Sequence, residues 1–208
     1  MGKKRMVTAI AAVMLLVFTL AACGQSGGSA QGNQNSGSAR DGQGGAAAGD
    51  SSTLVAYFSW SGNTEEMASY IAEQTGGDLY EIQPETPYPT DYNECGDVAL
   101  EERDSDARPA IANLPDSIDQ YDRILIGYPI WWHTAPMIIG TFLESYDLTD
   151  KDVYPFTQSA SMDTEQFDNS IRFVRDNAAG ANVHDGLFAE HTDTGAIDDY
   201  LSENGLLQ

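Results

Sequence analysis

The chain has 208 residues, and its 32 acidic residues against ten lysines and arginines give a formal net charge of −22. This length fits one or two domains. A charge this negative argues against binding to nucleic acid and against attraction to anionic lipid headgroups. It suits either a basic protein partner or simple solubility, and both interpretations stay open.

The first 22 residues have the features of a secretory signal peptide. Residues 3–5 are basic, and residues 7–20 form an apolar run that is short for a membrane-spanning helix. Two alanines stand directly before Cys23, and this arrangement resembles the lipobox of bacterial lipoproteins. The resemblance implies that Cys23 is diacylated and becomes the mature amino terminus. The alternative is a plain cleavable signal peptide in which Cys23 is incidental.

Two acyl chains on Cys23 hold a protein stably on a membrane, because each buried CH₂ contributes about 0.8 kcal/mol. We therefore expect a secreted protein that is lipid-anchored on the extracytoplasmic side. Cleavage after residue 22 removes three of the ten basic residues and no acidic one, which leaves seven against 32 and a net charge of −25. Residues 24–52 are small and polar, so residues 23–52 are predicted to form a flexible tether behind the anchor.

The two cysteines also limit the chemistry that the chain can perform. With Cys23 lipidated, Cys95 has no partner for an internal disulfide, so the fold must rest on its apolar core. Cys95 has no histidine near it in the sequence, and we expect no reactive-thiol role. No cluster of cysteine and histidine suggests a metal site, and none is predicted.

After the tether, apolar runs alternate with segments of helical periodicity. The predicted strands cover residues 54–58, 79–82, 123–127, 153–156 and 183–187. Helices are predicted over residues 65–74, around 138–143, after the capping residue Asp163 and around 197–201, with Asn63 and Glu66 as a capping pair for the first. This alternation implies one α/β domain over residues 53–208, a doubly wound five-stranded parallel sheet in a three-layer sandwich. Residues 84–121 break the rhythm and are predicted to be a long, partly helical connection.

In such sheets a ligand binds outside the carboxyl ends of the strands, where the strand order reverses. The loop after the first strand, residues 59–64, supplies three hydroxyls, an amide, a glycine and the start of a helix. That combination can hold a phosphate through neutral donors and the helix dipole. The loop contains no lysine or arginine. It matches neither the G-x-x-x-x-G-K-[ST] motif of nucleotide triphosphatases nor the G-x-G-x-x-G motif of dinucleotide-binding domains. It is equally typical of an ordinary strand-to-helix turn.

The loop after the third strand carries two adjacent tryptophans, Trp131 and Trp132, followed by His133. Exposed tryptophans are costly, so they indicate either a flat aromatic ligand or ordinary cover over the sheet edge. His133 is a candidate proton donor beside such a ligand, and the alternative is a solvated loop histidine. The two loops follow the strands at which the order reverses, which favours one shared ligand site.

At this point the sequence resembles the flavodoxins. Residues 57–64 look like their phosphate loop, and residues 127–132 with Ala135 and Pro136 resemble a branch that carries a Pro-Ile-Trp-Trp loop. The resemblance implies FMN as cofactor, with its phosphate at residues 59–64 and its isoalloxazine beside residues 129–133. The implied contacts are Ser59, Trp60, Ser61, Gly62, Asn63, Thr64, Pro129, Ile130, Trp131, Trp132, His133, Thr157, Gln158 and Ser159.

The loop after the fourth strand departs from that branch. Residues 157–162 read Thr-Gln-Ser-Ala-Ser-Met, whereas the branch often has a glycine-rich stretch there. The missing glycines remove close backbone donors to the ring edge, for which Gln158 and the serines can substitute. The retention of FMN therefore stays open on sequence grounds.

Three functions are compatible with these features. The first is an FMN-binding electron carrier at the outer face of the cytoplasmic membrane, with an unidentified redox partner protein. The second is an FMN-dependent NAD(P)H or quinone reductase, which needs open space over the ring beside Trp131 and Trp132. The third is a cofactor-free binding module, whose loops would be collapsed on each other with no cavity. Nicotinamide nucleotides are not expected outside the cytoplasmic membrane, which favours the carrier.

Overall fold

The computed structural model describes residues 52–161 and 163–208. The predicted signal peptide, the lipidated Cys23 and all of the tether but Ser52 lie outside the described residues. The strands are β1 (Thr53–Tyr57), β2 (Asp78–Glu81), β3 (Gln83–Pro84), β4 (Ile111–Ala112), β5 (Arg123–Pro129), β6 (Asp152–Gln158), β7 (Asn182–Val183) and β8 (Leu187–Phe188). The helices are α1 (Asn63–Thr75), α2 (Tyr92–Asp104), α3 (Met137–Glu144), α4 (Thr164–Asn177) and α5 (Thr194–Glu203).

The central sheet is parallel and has the order β2-β1-β5-β6, with β7 and β8 both paired to β6 at the last position. Strands β1, β5 and β6 are apolar on both faces, because each face is covered by helices. Even-numbered residues of β1 and β5 pack with α3 and α4, and odd-numbered ones pack with α1 and α5. The predicted doubly wound α/β sandwich is confirmed.

The fifth strand position differs from the single predicted strand over residues 183–187, since β7 and β8 are separate two-residue strands. On the side of β6 where β7 and β8 pair, the backbone carbonyls of Val153 and Thr157 accept hydrogen bonds from the amides of His184 and Ala189. The backbone groups of odd-numbered β6 residues therefore point toward β7 and β8. Pro155 is one of these residues, and it has no N–H to donate. The ladder is interrupted where that donor is missing, although β6 itself continues to Gln158.

Residues 84–121 form the partly helical connection that the sequence predicts. It contains helix α2, and Pro84 at its start pairs with Ile111 after that helix in the small antiparallel sheet β3-β4. The predicted cap of α4 is also confirmed, because the Asp163 side chain accepts from the amides of Glu165 and Gln166. The predicted capping pair of Asn63 and Glu66 is wrong. Helix α1 begins at Asn63 itself, after a left-handed Gly62, and no side chain caps it.

Within residues 52–161 and 163–208, no helix has both the length and the apolar character needed to cross a bilayer. The same residues hold no group of three or more His, Cys, Asp or Glu side chains placed to bind a metal ion. Cys95 is a buried free thiol on α2.

Candidate functional site

A cavity of about 580 Å³ opens at the carboxyl ends of β1, β5 and β6. Three loops and one helix surround it: the first loop (residues 59–64), the second loop (residues 129–133), the third loop (residues 157–161) and helix α2. Its lining residues are Trp60, Ser61, Asn63, Tyr92, Asn93, Cys95, Gly96, Asp97, Ala99, Pro129, Ile130, Trp131, Trp132, His133, Gln158, Ser159, Ala160, Ser161 and Gln166. Three loops that are far apart in sequence thus share one space, as the parallel topology requires.

The first loop is held open by its own backbone. Gly62 has a left-handed φ of 92°, and a Cβ added there would meet nothing within 4 Å. Ser59 Oγ accepts a hydrogen bond from the Gly62 amide at 3.1 Å, which closes the turn. The first amides of α1 have no partner within the helix, as at the start of any α-helix, and no side chain among the described residues caps them. Their positive end faces the loop.

Thr64, in the first turn of α1, carries an unusual hydroxyl group. Its residue is 1% exposed, and its Oγ1 has no hydrogen-bond partner among the described residues. An unpaired buried hydroxyl costs about 1–3 kcal/mol. The unpaired Thr64 hydroxyl therefore lies beside the uncapped helix amides, and an anion bound here would accept hydrogen bonds from both.

The second loop continues from β5 into a tight hairpin, residues 131–134, which we call the aromatic hairpin. Trp131 and Thr134 exchange backbone hydrogen bonds, each of 3.0 Å. The two residues between them, Trp132 and His133, have φ values of 46° and 65°. Both central residues are thus left-handed, as the tight type I′ hairpin turn requires, although that turn usually contains Asn and Gly.

The two tryptophans of the aromatic hairpin have different surroundings. The ring of Trp131 packs edge-on against Phe58 at 5.3 Å and against Tyr88 at 5.1 Å between centroids. Trp132 is 42% exposed, and its indole N–H donates to the Gly96 carbonyl of α2 at 2.8 Å. Trp131 therefore joins the core to the cavity, whereas Trp132 joins the hairpin to α2.

The third loop presents amide and hydroxyl groups in place of the glycines. Gln158 lines the cavity while its backbone carbonyl accepts from the Ile130 amide at 3.3 Å. Ser159 and Ser161 approach each other through their hydroxyls at 3.3 Å, and Gln166 of α4 donates to the Ser161 hydroxyl at the same distance. The loop thus offers polar side chains at one edge of the cavity.

Helix α2 forms the remaining wall, and the sequence did not indicate it. Tyr92, Cys95 and Ala99 all line the cavity, and their spacing puts them on one helical face. This periodicity was readable, but nothing in the sequence showed that the face turns toward the loops. The first loop is tied to this segment, since the Trp60 indole N–H donates to the Pro89 carbonyl at 2.9 Å.

The cavity is neutral to acidic. Of the residues that the structure describes, one carboxylate, Asp97, and no lysine or arginine line it. Burial raises the pKa of the Cys95 thiol, and the charge of Glu102 raises it further, so the thiol is protonated at neutral pH. Behind the wall, the Tyr88 hydroxyl donates to the Glu102 carboxylate at 2.7 Å.

Ten of the fourteen predicted cofactor contacts line the cavity: Trp60, Ser61, Asn63, Pro129, Ile130, Trp131, Trp132, His133, Gln158 and Ser159. The other four, Ser59, Gly62, Thr64 and Thr157, do not. Ser59 and Gly62 shape the first loop, and Thr64 is the orphaned hydroxyl of α1. Thr157 is fully buried and donates to the Tyr128 carbonyl, which ties β6 to β5.

Comparison with known proteins agrees with this architecture. A family model described as Flavodoxin matches residues 52–203, so the chain belongs to the flavodoxin family. A candidate flavoprotein from Bacteroides uniformis is 35% identical, with a TM-score of 0.65, and the match covers 73% of this chain and 98% of that chain. Another from Bacteroides eggerthii is 36% identical, with a TM-score of 0.65 and coverages of 74% and 97%.

A third similar structure is a flavoprotein from Lactobacillus acidophilus in complex with FMN. It is 29% identical to this chain, with a TM-score of 0.57, and the match covers 70% of this chain and 97% of that chain. Among proteins of curated function, none matches the chain. The resemblance to flavodoxins inferred from residues 57–64 and 127–136 is therefore confirmed at the level of the family.

Proposed function

We propose that the chain binds FMN in the cavity and carries electrons at the outer face of the cytoplasmic membrane. The observation that carries the proposal is the convergence of the first, second and third loops on one cavity. Membership in the flavodoxin family and similarity to a flavoprotein in complex with FMN support the choice of cofactor. The open cavity also speaks against the cofactor-free module, for which we expect collapsed loops.

The residues of the first loop fit the FMN phosphate. Among the described residues, no side chain caps the first amides of α1 and no group pairs with the Thr64 hydroxyl, and Gly62 leaves the approach free of side-chain atoms. A phosphate satisfies such donors without a lysine or arginine, because the helix dipole adds to the hydrogen bonds. Thr64 and the amides of residues 63–65 would bind the phosphate.

The second loop, the third loop and α2 would hold the flat ring. Trp132 and Tyr92 are large exposed side chains of the cavity lining, which also includes Pro129 and Ile130. Bound FMN supplies the redox chemistry, and the protein sets its affinity, orientation and potential. Since the lining has Asp97 and no cation, a negatively charged reduced ring is disfavoured, which lowers the reduction potential. A low potential suits an electron donor.

The first test is reconstitution of the purified protein with FMN. We expect a yellow complex with quenched flavin fluorescence and a stoichiometry of one. No binding at tens of micromolar FMN would overturn both flavin functions and leave a binding module, whose partner would be sought by pull-down.

A second candidate is the FMN-dependent reductase of a small acceptor such as a quinone. The observation that favours it is the open cavity beside Trp131 and Trp132, because a reductase needs open space there for its acceptor. Stopped-flow mixing of the FMN complex with NADH and NADPH separates the two functions. Rapid bleaching of the flavin supports the reductase, and its absence together with reduction by dithionite supports the carrier.

The membrane anchor is part of the same proposal and rests on the residues before Cys23. We expect the mature protein to carry lipid on Cys23 and to fractionate with membranes. Cys23→Ser should release it from the membrane fraction, as measured by labelled palmitate incorporation and immunoblotting. Equal membrane association of the variant would contradict the anchor.

A further inference from the structure

Helix α2 contacts the turn of the aromatic hairpin through two of its residues, Arg103 and Gly96. Arg103 donates from Nη1 to the Trp132 carbonyl at 3.2 Å, and its guanidinium carbon lies 5.8 Å from the centre of the Trp132 ring. The Trp132 indole in turn donates to the Gly96 carbonyl at 2.8 Å. We call these three contacts the α2 clasp. They tie both ends of one residue, its backbone and its ring, to the same helix.

The turn needs such support because of its backbone conformation. Trp132 and His133 are left-handed, with φ values of 46° and 65°, and each carries a Cβ that disfavours this region. Residues of this kind persist where surrounding contacts hold them. The clasp supplies those contacts for Trp132, which is otherwise 42% exposed.

Arg103 itself lies outside the candidate FMN site. It lines a separate groove of about 440 Å³, which shares Trp132 and His133 with the cavity and includes Arg172 of α4. Asp104 Oδ1 accepts from Arg103 Nε at 2.9 Å and from Nη2 at 2.6 Å. That pair orients the guanidinium and leaves Nη1 for the Trp132 carbonyl. Trp132 and His133 thus lie between the cavity and the groove that Arg103 lines.

We propose that Arg103 is a positioning residue for the flavin site, which acts through Trp132. It fixes the left-handed turn, and the turn then presents Trp132 and His133 to the cavity. The part of the inference that concerns flavin affinity and potential rests on the proposed function. The part that concerns the turn does not, and it is testable in the FMN-free protein.

The flavin test compares Arg103→Met with Arg172→Met in the full-length protein. Arg172 lines the same groove, but its guanidinium bonds to Asn169 rather than to the hairpin, so it controls for the loss of one positive charge. We expect Arg103→Met to weaken FMN binding about 10-fold, the size of one lost charge-assisted hydrogen bond, and Arg172→Met less than about 2-fold. We also expect a shifted midpoint potential in Arg103→Met only. Equal effects of the two variants on affinity and potential would assign them to charge and overturn the positioning role.

Arg103→Lys tests the geometry of the guanidinium. Lysine keeps the charge but lacks the planar group that bonds Asp104 and Trp132 at once and stacks on the ring. We expect it to restore about half of the lost binding free energy, an affinity about 3-fold below wild type. If Arg103→Lys binds FMN as weakly as Arg103→Met, the whole effect comes from the planar guanidinium and not from its charge. If Arg103→Lys binds FMN as tightly as wild type, the role assigned to the guanidinium geometry is overturned.

The FMN-free test measures hydrogen exchange of the Trp131 and Thr134 amides, which bond across the hairpin. We expect these amides to exchange about 10-fold faster in Arg103→Met than in wild type or Arg172→Met, since the turn opens more often. Unchanged exchange would overturn the proposal whether or not FMN binds. Faster exchange in a protein that fails to bind FMN would uphold the clasp and reject the proposed function.

Discussion

The loops after β1 and β5 both pass through left-handed backbone, but they reach it by different means. The first loop uses Gly62, which needs no support because a glycine adopts this conformation freely. The aromatic hairpin uses Trp132 and His133, and contacts from α2 hold the turn. The left-handed turn of the first loop therefore needs no contact from outside the loop, whereas that of the aromatic hairpin depends on a helix from a distant part of the sequence.

The largest expected effects concern the aromatic hairpin, which depends on distant contacts and whose two tryptophans differ in burial. Trp131→Ala removes a ring that packs on Phe58 and Tyr88, so we expect the FMN-free protein to lose about 2–3 kcal/mol of unfolding free energy. Trp132→Ala removes an exposed ring and should cost under about 1 kcal/mol. Urea denaturation followed by circular dichroism measures both. Equal losses would mean that Trp132 carries more of the packing than its exposure suggests.

The left-handed residues give a pair of opposite substitutions. Gly62→Ala adds a Cβ that meets no atom within 4 Å, so its whole cost is the backbone, about 1–2 kcal/mol. His133→Gly removes a disfavoured Cβ and should stabilise the FMN-free protein by about 0.5–1 kcal/mol. Thermal and urea unfolding of both variants decide the point. Destabilisation by His133→Gly would show that lost side-chain contacts, together with the greater freedom of glycine in the unfolded chain, outweigh the backbone strain.

The Thr64 hydroxyl distinguishes the empty protein from the complex. Thr64→Val removes an unpaired buried hydroxyl and keeps the shape, so the FMN-free protein should gain about 1 kcal/mol. The same change should weaken FMN binding about 10-fold, because a donor to the phosphate is lost. Thr141→Val on α3 is the matched control, since Thr141 Oγ1 is likewise buried without a partner among the described residues. It should add stability and leave FMN affinity unchanged, and equal FMN affinity in both variants would contradict the phosphate contact.

Much of the architecture could be predicted from local pattern. Apolar runs separated by helical periodicity gave the strand positions, and parallel pairing then placed the first and second loops at one edge of the sheet. Glycine in the first loop was readable as a place where the backbone can approach a ligand, and at Gly62 the space that a Cβ would fill is open. These features depend on residues that act within a few positions of themselves.

The rest depends on contacts between distant segments. The position of α2 over the cavity is set by contacts such as the Trp60 indole to Pro89 and the Trp132 indole to Gly96, which no sequence period encodes. The left-handed turn at Trp132 was equally hidden, because tryptophan is not a residue that suggests it. The interruption of the fifth strand depends on which neighbouring strand the backbone of Pro155 faces. That direction is known only once the register of β6 with its neighbours is known.

The smallest expected effect lies behind the α2 wall, at Glu102. Burial raises the pKa of its carboxyl above the ordinary value of 4.5, and the hydrogen bond from Tyr88 offsets part of that rise. Between pH 4.5 and the raised pKa of Glu102 in the folded protein, the folded protein holds a proton that the unfolded chain has lost. Stability therefore falls as pH rises from 4.5 through the folded-state pKa, and the loss is complete above it.

Glu102→Gln removes this titration and keeps an oxygen that accepts from Tyr88. Relative to wild type, the variant should become more stable between pH 4 and pH 7.5 by less than about 1 kcal/mol. Glu101→Gln, at an exposed neighbour on the same helix, controls for the loss of one surface charge. Urea midpoints at the two pH values measure the difference. A gain shared by both variants would assign it to the acidic surface as a whole, and a gain confined to Glu102→Gln would assign it to burial of the Glu102 carboxyl.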